Sequence, residues 1–230
     1  MAGVTWVKIC GVCHADDVAM CVEAGADALG FVVGYPIEVP WNLTPDQAEE
    51  LMALVPDRVE RVVVVGDDPK QVLTIADRLR PDLVQLHADE APDVTARLVA
   101  DLHARGFKVA KALRFDVDSG ALQTRHKVPA TTVATAQLYA GMGVDVVLVD
   151  SISAQRPAGT GRTVDLRTAR AVRDEVSVPV VLAGGLRSDN VAAAIGAVRP
   201  FGVDVISGVE KPVGRKDPER VSAFLAAVRG

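Results

Sequence analysis

The sequence predicts an α/β fold, a closed (β/α)8 barrel formed by residues 1–230 as one domain. Apolar runs rich in Val, Ile and Leu recur about every 25 residues, and most of them precede a segment with helical spacing of its apolar residues. The chain has 230 residues, of which 49% are hydrophobic, so it can bury one large core. Barrels of this kind commonly take about 250 residues. Repeat, composition and length therefore agree on one barrel.

Eight strands are predicted from the apolar runs. The runs 62–65 and 178–182 contain no charged residue, which is typical of strands buried on both faces of a parallel sheet. Because eight βα units follow one another without a crossover break, a closed barrel is favoured over an open, doubly wound sheet. The predicted strands are 4–10, 28–33, 60–65, 82–86, 107–112, 144–149, 178–183 and 202–206.

Eight helices are predicted between and after these strands. Several begin with an Asp, Ser or Thr that can cap a helix, such as Thr44 before Pro45 and Ser188. Residues 115–131 show no clear period and exceed a usual βα loop, so we expect an irregular insertion after strand 5. The predicted helices are 15–24, 44–54, 69–79, 91–104, 131–141, 165–174, 188–197 and 217–228.

Charge and hydropathy argue against two classes of partner. The net charge is -5 and both signs are interspersed, so the chain has neither a basic stripe for nucleic acid nor a polybasic segment for anionic lipid. No apolar run approaches the roughly 18 residues of a membrane span, and the start shows no signal-peptide pattern. We expect a cytoplasmic protein, monomer or homodimer, that binds a small molecule, with no nucleic acid and no membrane.

The cysteines Cys10, Cys13 and Cys21 indicate reduced thiols, because they are odd in number and crowded at one end. The pair Cys10-x-x-Cys13 resembles a redox motif. A thioredoxin-like site, however, opens a helix in a much smaller domain, and one cysteine pair does not make a structural zinc site. We expect no metal and no redox role.

Two predicted strands end at reactive side chains, Cys10 and Asp150. All strands of a parallel barrel open onto one face at their carboxyl ends, so a thiol and a carboxylate far apart in sequence can flank one small molecule there. This pattern indicates acid/base chemistry. The alternative is that Cys10 packs as a small hydrophobe and Asp150 caps a turn.

Glycine-rich loops follow the last two predicted strands. Gly184 and Gly185 end strand 7, and Ser207 and Gly208 follow strand 8. Barrels often bind a phosphate after these two strands, where glycines let backbone N–H groups approach an anion. The alternative is that the glycines only turn the chain. A third loop, with Gly159 and Gly161, follows Asp150 and is long enough to close over a substrate.

Seven segments occur in the order seen in phosphoribosylanthranilate isomerases, the family that the chain resembles over nearly its whole length: 7–11, 25–31, 84–87, 148–151, 159–163, 182–186 and 203–210. The resemblance implies a TIM barrel that catalyses the Amadori rearrangement of an aminoaldose to an aminoketose in tryptophan biosynthesis, without cofactor or metal. Asp150 would be the general acid that protonates the ribose ring oxygen and opens the furanose to a Schiff base. Cys10 would be the general base that removes the C2 proton.

Other polar residues face the same predicted site. Lys8 lies two positions before Cys10 and projects to the same face of strand 1, where it either favours the thiolate or pairs with an interior carboxylate. Gln85 and His87 share one face of strand 4. The resemblance implies that His87 contacts the substrate and that Asp204 contacts the sugar.

The chain departs from the family after strand 2. The family usually carries a Pro-x-Ser-x-Arg stretch whose Arg binds the anthranilate carboxylate, whereas residues 34–45 contain no Arg and an acidic Glu38. Either Arg114 or Arg156 binds the carboxylate while Trp41 stacks on the aromatic ring, or the substrate lacks the carboxylate and the chain is a sibling isomerase for another phosphoribosyl amine. A barrel that binds phosphate without catalysis is a further alternative.

Overall fold

The computed structural model describes residues 4–116, 121–129, 131–152 and 165–230. Within these residues all nine strands pair in parallel. They are β1 (Trp6–Cys10), β2 (Ala28–Val33), β3 (Asn42–Leu43), β4 (Glu60–Val65), β5 (Leu83–Leu86), β6 (Lys108–Asp116), β7 (Val146–Ile152), β8 (Val180–Leu182) and β9 (Gly202–Val205).

Eight of these strands close into a barrel. The strand order is β1-β9-β8-β7-β6-β5-β4-β2-β3, and β1 also pairs with β2, which closes the ring and leaves the short β3 beside β2. The closed (β/α)8 barrel that the sequence predicts is confirmed.

Helices surround the barrel, each between consecutive strands or after the last. Thr44 caps the helix that begins at Pro45, in a reciprocal capping box with Gln47, and Asp68 and Asp217 cap the helices that begin at Pro69 and Pro218. The helices in the described residues are α1 (Ala15–Glu23), α2 (Pro45–Met52), α3 (Pro69–Leu79), α4 (Pro92–Ala104), α5 (Thr132–Ala140), α6 (Leu166–Glu175), α7 (Val191–Val198) and α8 (Pro218–Arg229), with a 3-10 turn at Ser207–Val209. None of the helices in these ranges is long and apolar enough to cross a membrane.

The barrel interior contains small apolar layers below a polar layer. Two apolar clusters occupy the interior: Ala28, Val62, Leu83 and Ala110 form one, and Ala112, Leu148, Val181 and Ala183 form the other. Because side chains alternate along a strand, Lys8 and Cys10 of β1 point inward as well. Polar side chains near the carboxyl ends of the strands therefore project from the barrel sheet into the interior.

The structure differs from the predicted elements at several of their ends and in one added strand. Strand 107–112 is longer, because β6 continues to Asp116 and the chain then returns, with Leu122 opposite Phe115 in an antiparallel bridge. The two-residue strand β3 was not predicted, since so short a pairing has no period. The helix predicted at 188–197 begins at Val191, because the Asn190 side chain accepts from Arg187 N (2.8 Å) and holds a turn there.

Candidate active site

A cleft of about 940 Å³, including the open solvent at its mouth, lies at the carboxyl ends of the barrel strands. Val32, Val64 and Trp41 form an apolar wall on one side. The polar residues that line the cleft come from β1, β5, β6, β7, β9 and the loops after β2, β5 and β9: Cys10, Tyr35, Gln85, His87, Arg114, Asp150, Ser151, Asp204 and Ser207. Predicted catalytic and sugar-contacting residues that are distant in sequence thus meet at one cleft.

Cys10 ends β1 with its side chain buried. Gly30 on the paired strand makes room for the thiol, since a Cβ there would lie 2.6 Å from Cys10 Sγ. Burial raises the pKa of the Cys10 thiol, and the adjacent Lys8 ammonium opposes that rise without cancelling it. The free enzyme therefore holds Cys10 mainly as the thiol.

Lys8 forms a buried ion pair below Cys10. Its Nζ lies 2.8 Å from Asp204 Oδ2, and the side chains are 1% and 6% exposed. Burial disfavours the ammonium, but the charge of Asp204 and the interaction with Cys10 outweigh it and raise the pKa of Lys8. Both predicted roles of Lys8 occur together, because it pairs with an interior carboxylate and also opposes the rise in the Cys10 pKa.

Asp150 lies on β7 and keeps 19% of its side chain exposed to the cleft. Its Oδ1 accepts a hydrogen bond from the backbone N–H of Ser151 (2.8 Å). Burial raises the pKa of Asp150 to about 6, although the Arg114 charge opposes the rise. A carboxyl with this pKa can hold a proton near neutral pH, as a general acid requires.

His87 lies between Asp150 and Gln85. Its Nε2 is 3.6 Å from Asp150 Oδ2, and its Nδ1 is 2.9 Å from Gln85 Nε2. Burial, together with the charges of Arg114 and Lys8, holds the pKa of His87 well below its usual value. The imidazole is therefore neutral at physiological pH.

Arg114 follows Asp150 around the rim, on the neighbouring strand β6. The two residues are partners in the β6–β7 register, and Arg114 Nη1 lies 3.4 Å from Tyr35 Oη. Tyr35 in turn donates to the backbone carbonyl of His87 (3.5 Å). The sequence alone predicted no role for Tyr35. The one indication was that it lies two positions after the second strand, in the segment that departs from the family pattern.

Trp41 is fixed by a buried network that sequence reasoning also missed. Its indole Nε1 donates to Glu210 Oε1 (2.7 Å), and Lys216 Nζ lies 2.7 Å from the same carboxylate oxygen. Cys13 Sγ donates to Trp41 O (3.6 Å). The loops after β2 and β9 are thereby tied together, with the indole held in the cleft wall.

The loops after β8 and β9 meet at the edge of the cleft. Gly184 and Gly185 have positive φ values of 83° and 62°. A Cβ on Gly184 would lie 2.0 Å from Ser151 Oγ, and one on Gly208 would lie 2.0 Å from Leu186 O. Glycine is therefore required here by close packing as well as by the turn.

Several predicted residues lie outside the described part of the chain, namely Gly159, Gly161 and Arg156. Cys10, Cys13 and Cys21 are free thiols. Burial raises the pKa of Cys13 to about 11 and that of Cys21 to about 12. Within the described residues no group of three or more His, Cys, Asp or Glu side chains is arranged to hold a metal ion.

Comparison with known proteins identifies the family. The family model described as N-(5'-phosphoribosyl)anthranilate (PRA) isomerase matches residues 7–227. The chain belongs to this family. An N-(5'-phosphoribosyl)anthranilate isomerase of Natronomonas pharaonis is 38% identical over 227 residues, which are 98% of this chain and 99% of that protein.

Solved structures of the same family share the fold. The phosphoribosyl anthranilate isomerase of Thermotoga maritima superposes with a TM-score of 0.78 at 30% identity, covering 97% of this chain and 98% of the other. A second such isomerase, solved in complex with reduced 1-(o-carboxyphenylamino)-1-deoxyribulose 5-phosphate, gives a TM-score of 0.74 at 29% identity over the same shares.

Proposed function

We propose that the chain converts N-(5'-phosphoribosyl)anthranilate to 1-(o-carboxyphenylamino)-1-deoxyribulose 5-phosphate, using Asp150 as general acid and Cys10 as general base. Family membership over residues 7–227 supports the reaction. The observation that carries the assignment of roles is that Asp150, with its pKa raised to about 6, and Cys10, beside the Lys8 ammonium, line one cleft.

The first step is ring opening. Protonated Asp150 gives its proton to the furanose ring oxygen, the C1–O bond breaks, and the nitrogen lone pair forms the C1=N iminium. With a pKa of about 6, about a tenth of the Asp150 carboxyls carry a proton at pH 7. Because the adjacent His87 is neutral, it does not lower the pKa of Asp150 as a cation at that position would.

The second step is removal of the C2 proton. The Cys10 thiolate takes the proton, and the electrons of the C–H bond form C1=C2 and neutralise the iminium. The enol then becomes the C2 ketone: C1 gains a proton, the C1=C2 electrons form the new C–H bond, and the hydroxyl on C2 loses its proton as C=O forms. Because burial raises the pKa of Cys10, the Lys8 ammonium supports this step by favouring the thiolate.

The phosphate of the substrate is expected at the glycine loops. Gly184, Gly185, Ser207 and Gly208 border the cleft. The solved isomerase in complex with reduced 1-(o-carboxyphenylamino)-1-deoxyribulose 5-phosphate supports a ligand with a phosphate group, and barrels often bind phosphate at these two loops. We assign Gly159 and Gly161, in the loop after β7, to the same subsite on the basis of the family resemblance.

Arg114 is the cation that we assign to the anthranilate carboxylate. It lies in the cleft beside Tyr35, and the apolar wall of Val32, Val64 and Trp41 suits an aromatic ring. Lys8 and Asp204 lie deeper and are assigned to the sugar, together with Gln85 and His87. The partner is thus a phosphorylated sugar amine, and a cytoplasmic monomer or homodimer is part of this proposal.

Rescue of a tryptophan auxotroph that lacks the isomerase tests the function. Wild type should restore growth without tryptophan, Cys13→Ala should restore it equally, and Cys10→Ala should not. Purified wild-type protein that is folded yet fails to convert the substrate would contradict the proposal. Turnover of another phosphoribosyl amine by such a protein would favour the sibling isomerase.

A further inference from the structure

Gln85 is a buried amide inside the barrel. Its side chain is 1% exposed, and it lies on β5 two residues before His87, so both face the interior. The contact between Gln85 Nε2 and His87 Nδ1 is 2.9 Å. A buried amide is costly unless it makes hydrogen bonds, so the contact with His87 offsets part of the cost of burying Gln85.

The charges around His87 fix its ionisation state. The imidazole lies near Arg114, Lys8 and Lys111, while Asp150 Oδ2 is 3.6 Å from Nε2. Burial and the three cations keep the ring neutral despite that carboxylate. A neutral imidazole has one N–H donor and one acceptor nitrogen.

The two neighbours of the ring select which nitrogen carries the proton. Above a pH of about 6 the Asp150 carboxyl is mainly ionised and can only accept. The N–H must therefore be at Nε2, because the other tautomer would point a lone pair at the carboxylate. Nδ1 is then the acceptor, which matches a donating amide of Gln85.

We propose that Gln85 is a positioning residue that fixes His87 as the Nε2–H tautomer, so that the imidazole directs a donor at the Asp150 carboxylate formed during ring opening. The role in ring opening rests on the proposed function. The tautomer itself does not, because it follows from contacts in the free protein. A buried amide that touches the ring in this way keeps the ring in one orientation before substrate binds.

Nitrogen NMR of protein labelled at histidine tests the tautomer directly. In wild type at pH 8, His87 should show a protonated Nε2 and an unprotonated, hydrogen-bonded Nδ1. In Gln85→Met, which keeps the length of the side chain, the Nδ1 resonance should shift to that of a nitrogen without a donor. His103, whose Nε2 lies 2.9 Å from Asp145 Oδ2, should be unchanged in the same spectrum.

Steady-state kinetics distinguish a positioning role of Gln85 from a purely structural one. Gln85→Met should lower kcat by about 2- to 12-fold, the factor equivalent to one net hydrogen bond, and should lower kcat more than it raises KM. The control Gln137→Met, at an exposed amide on α5, should leave both constants unchanged. A wild-type spectrum with the proton on Nδ1 would overturn the proposal, as would His87 resonances and kcat that are the same in Gln85→Met. The predicted tautomer in a protein without isomerase activity would support the positioning and refute only the function.

Discussion

Replacement of Arg114 tests whether the chain has a substitute for the family Arg. Arg114→Met keeps the apolar stem and removes the guanidinium. The side chain is half-buried at the rim of a cleft with an apolar wall, so a hydrogen bond to a carboxylate there is a charge-assisted one worth about 1.5–3 kcal/mol. At about 1.4 kcal/mol per tenfold change, KM should rise about 10- to 150-fold. Tyr35→Phe removes the hydroxyl that accepts from Arg114 Nη1 and should raise KM by about 2- to 12-fold.

Steady-state kinetics on two substrates decide the outcome. The rise in KM should occur with phosphoribosylanthranilate and be nearly absent with an analogue that lacks the carboxylate. The matched control is Arg125→Met, since the Arg125 side chain is 76% exposed and lies in a neighbouring groove rather than in the cleft. Equal effects of Arg114→Met on both substrates would show that Arg114 does not bind the carboxylate, and full wild-type turnover of the analogue would favour another phosphoribosyl amine as the natural substrate.

Three further predictions concern the catalytic pair and the anion. Cys10→Ala should lower kcat by about 10²–10⁴-fold while Cys13→Ala leaves it unchanged, and equal losses in both would revive a redox role for the pair. Since the proposed reaction needs protonated Asp150 and ionised Cys10, log kcat/KM of wild type should rise with pH up to about 6 and then level off, because above that pH the loss of the acid offsets the gain of thiolate. Asp150→Asn should lose the bend near pH 6 and most of kcat. Gly185→Val, which strains a residue at φ 62°, should raise KM more than it lowers kcat, whereas a crystal soaked in phosphate with the anion far from Gly185 would argue against this subsite.

The barrel was predictable because its signal repeats. Eight apolar runs with intervening helices leave few topologies, and apart from the two-residue strand β3 the errors lie at the ends of elements. The extension of β6 to Asp116 depends on the chain that folds back onto it: Gln123 N donates to Arg114 O (2.8 Å). Such a contact between an irregular segment and a strand has no periodic signature.

The positions of the strand ends predicted that the active-site residues meet at one cleft. They did not predict the contacts that hold the wall of that cleft. Cys10 and Asp150 could be placed on one face because parallel strands share a direction. Trp41 and Glu210, which share a hydrogen bond, are 169 positions apart in the sequence. This bond and the contact of Glu210 with Lys216 form only when two loops meet in space. No local pattern marks it, so the residues that hold the cleft wall emerged only from the folded chain.

Burial affects the proposed acid and the proposed base in opposite ways. It raises the pKa of both Asp150 and Cys10, which helps a carboxyl to keep a proton and hinders a thiol from losing one. One low-dielectric cleft therefore suits the acid alone, and the base needs an additional positive charge. Lys8 supplies that charge two positions from Cys10, and Asp204, 2.8 Å away, keeps the ammonium charged inside the barrel. The Lys8–Asp204 pair is thus best understood as the means by which a buried thiol can act as a base beside a carboxyl that acts as an acid.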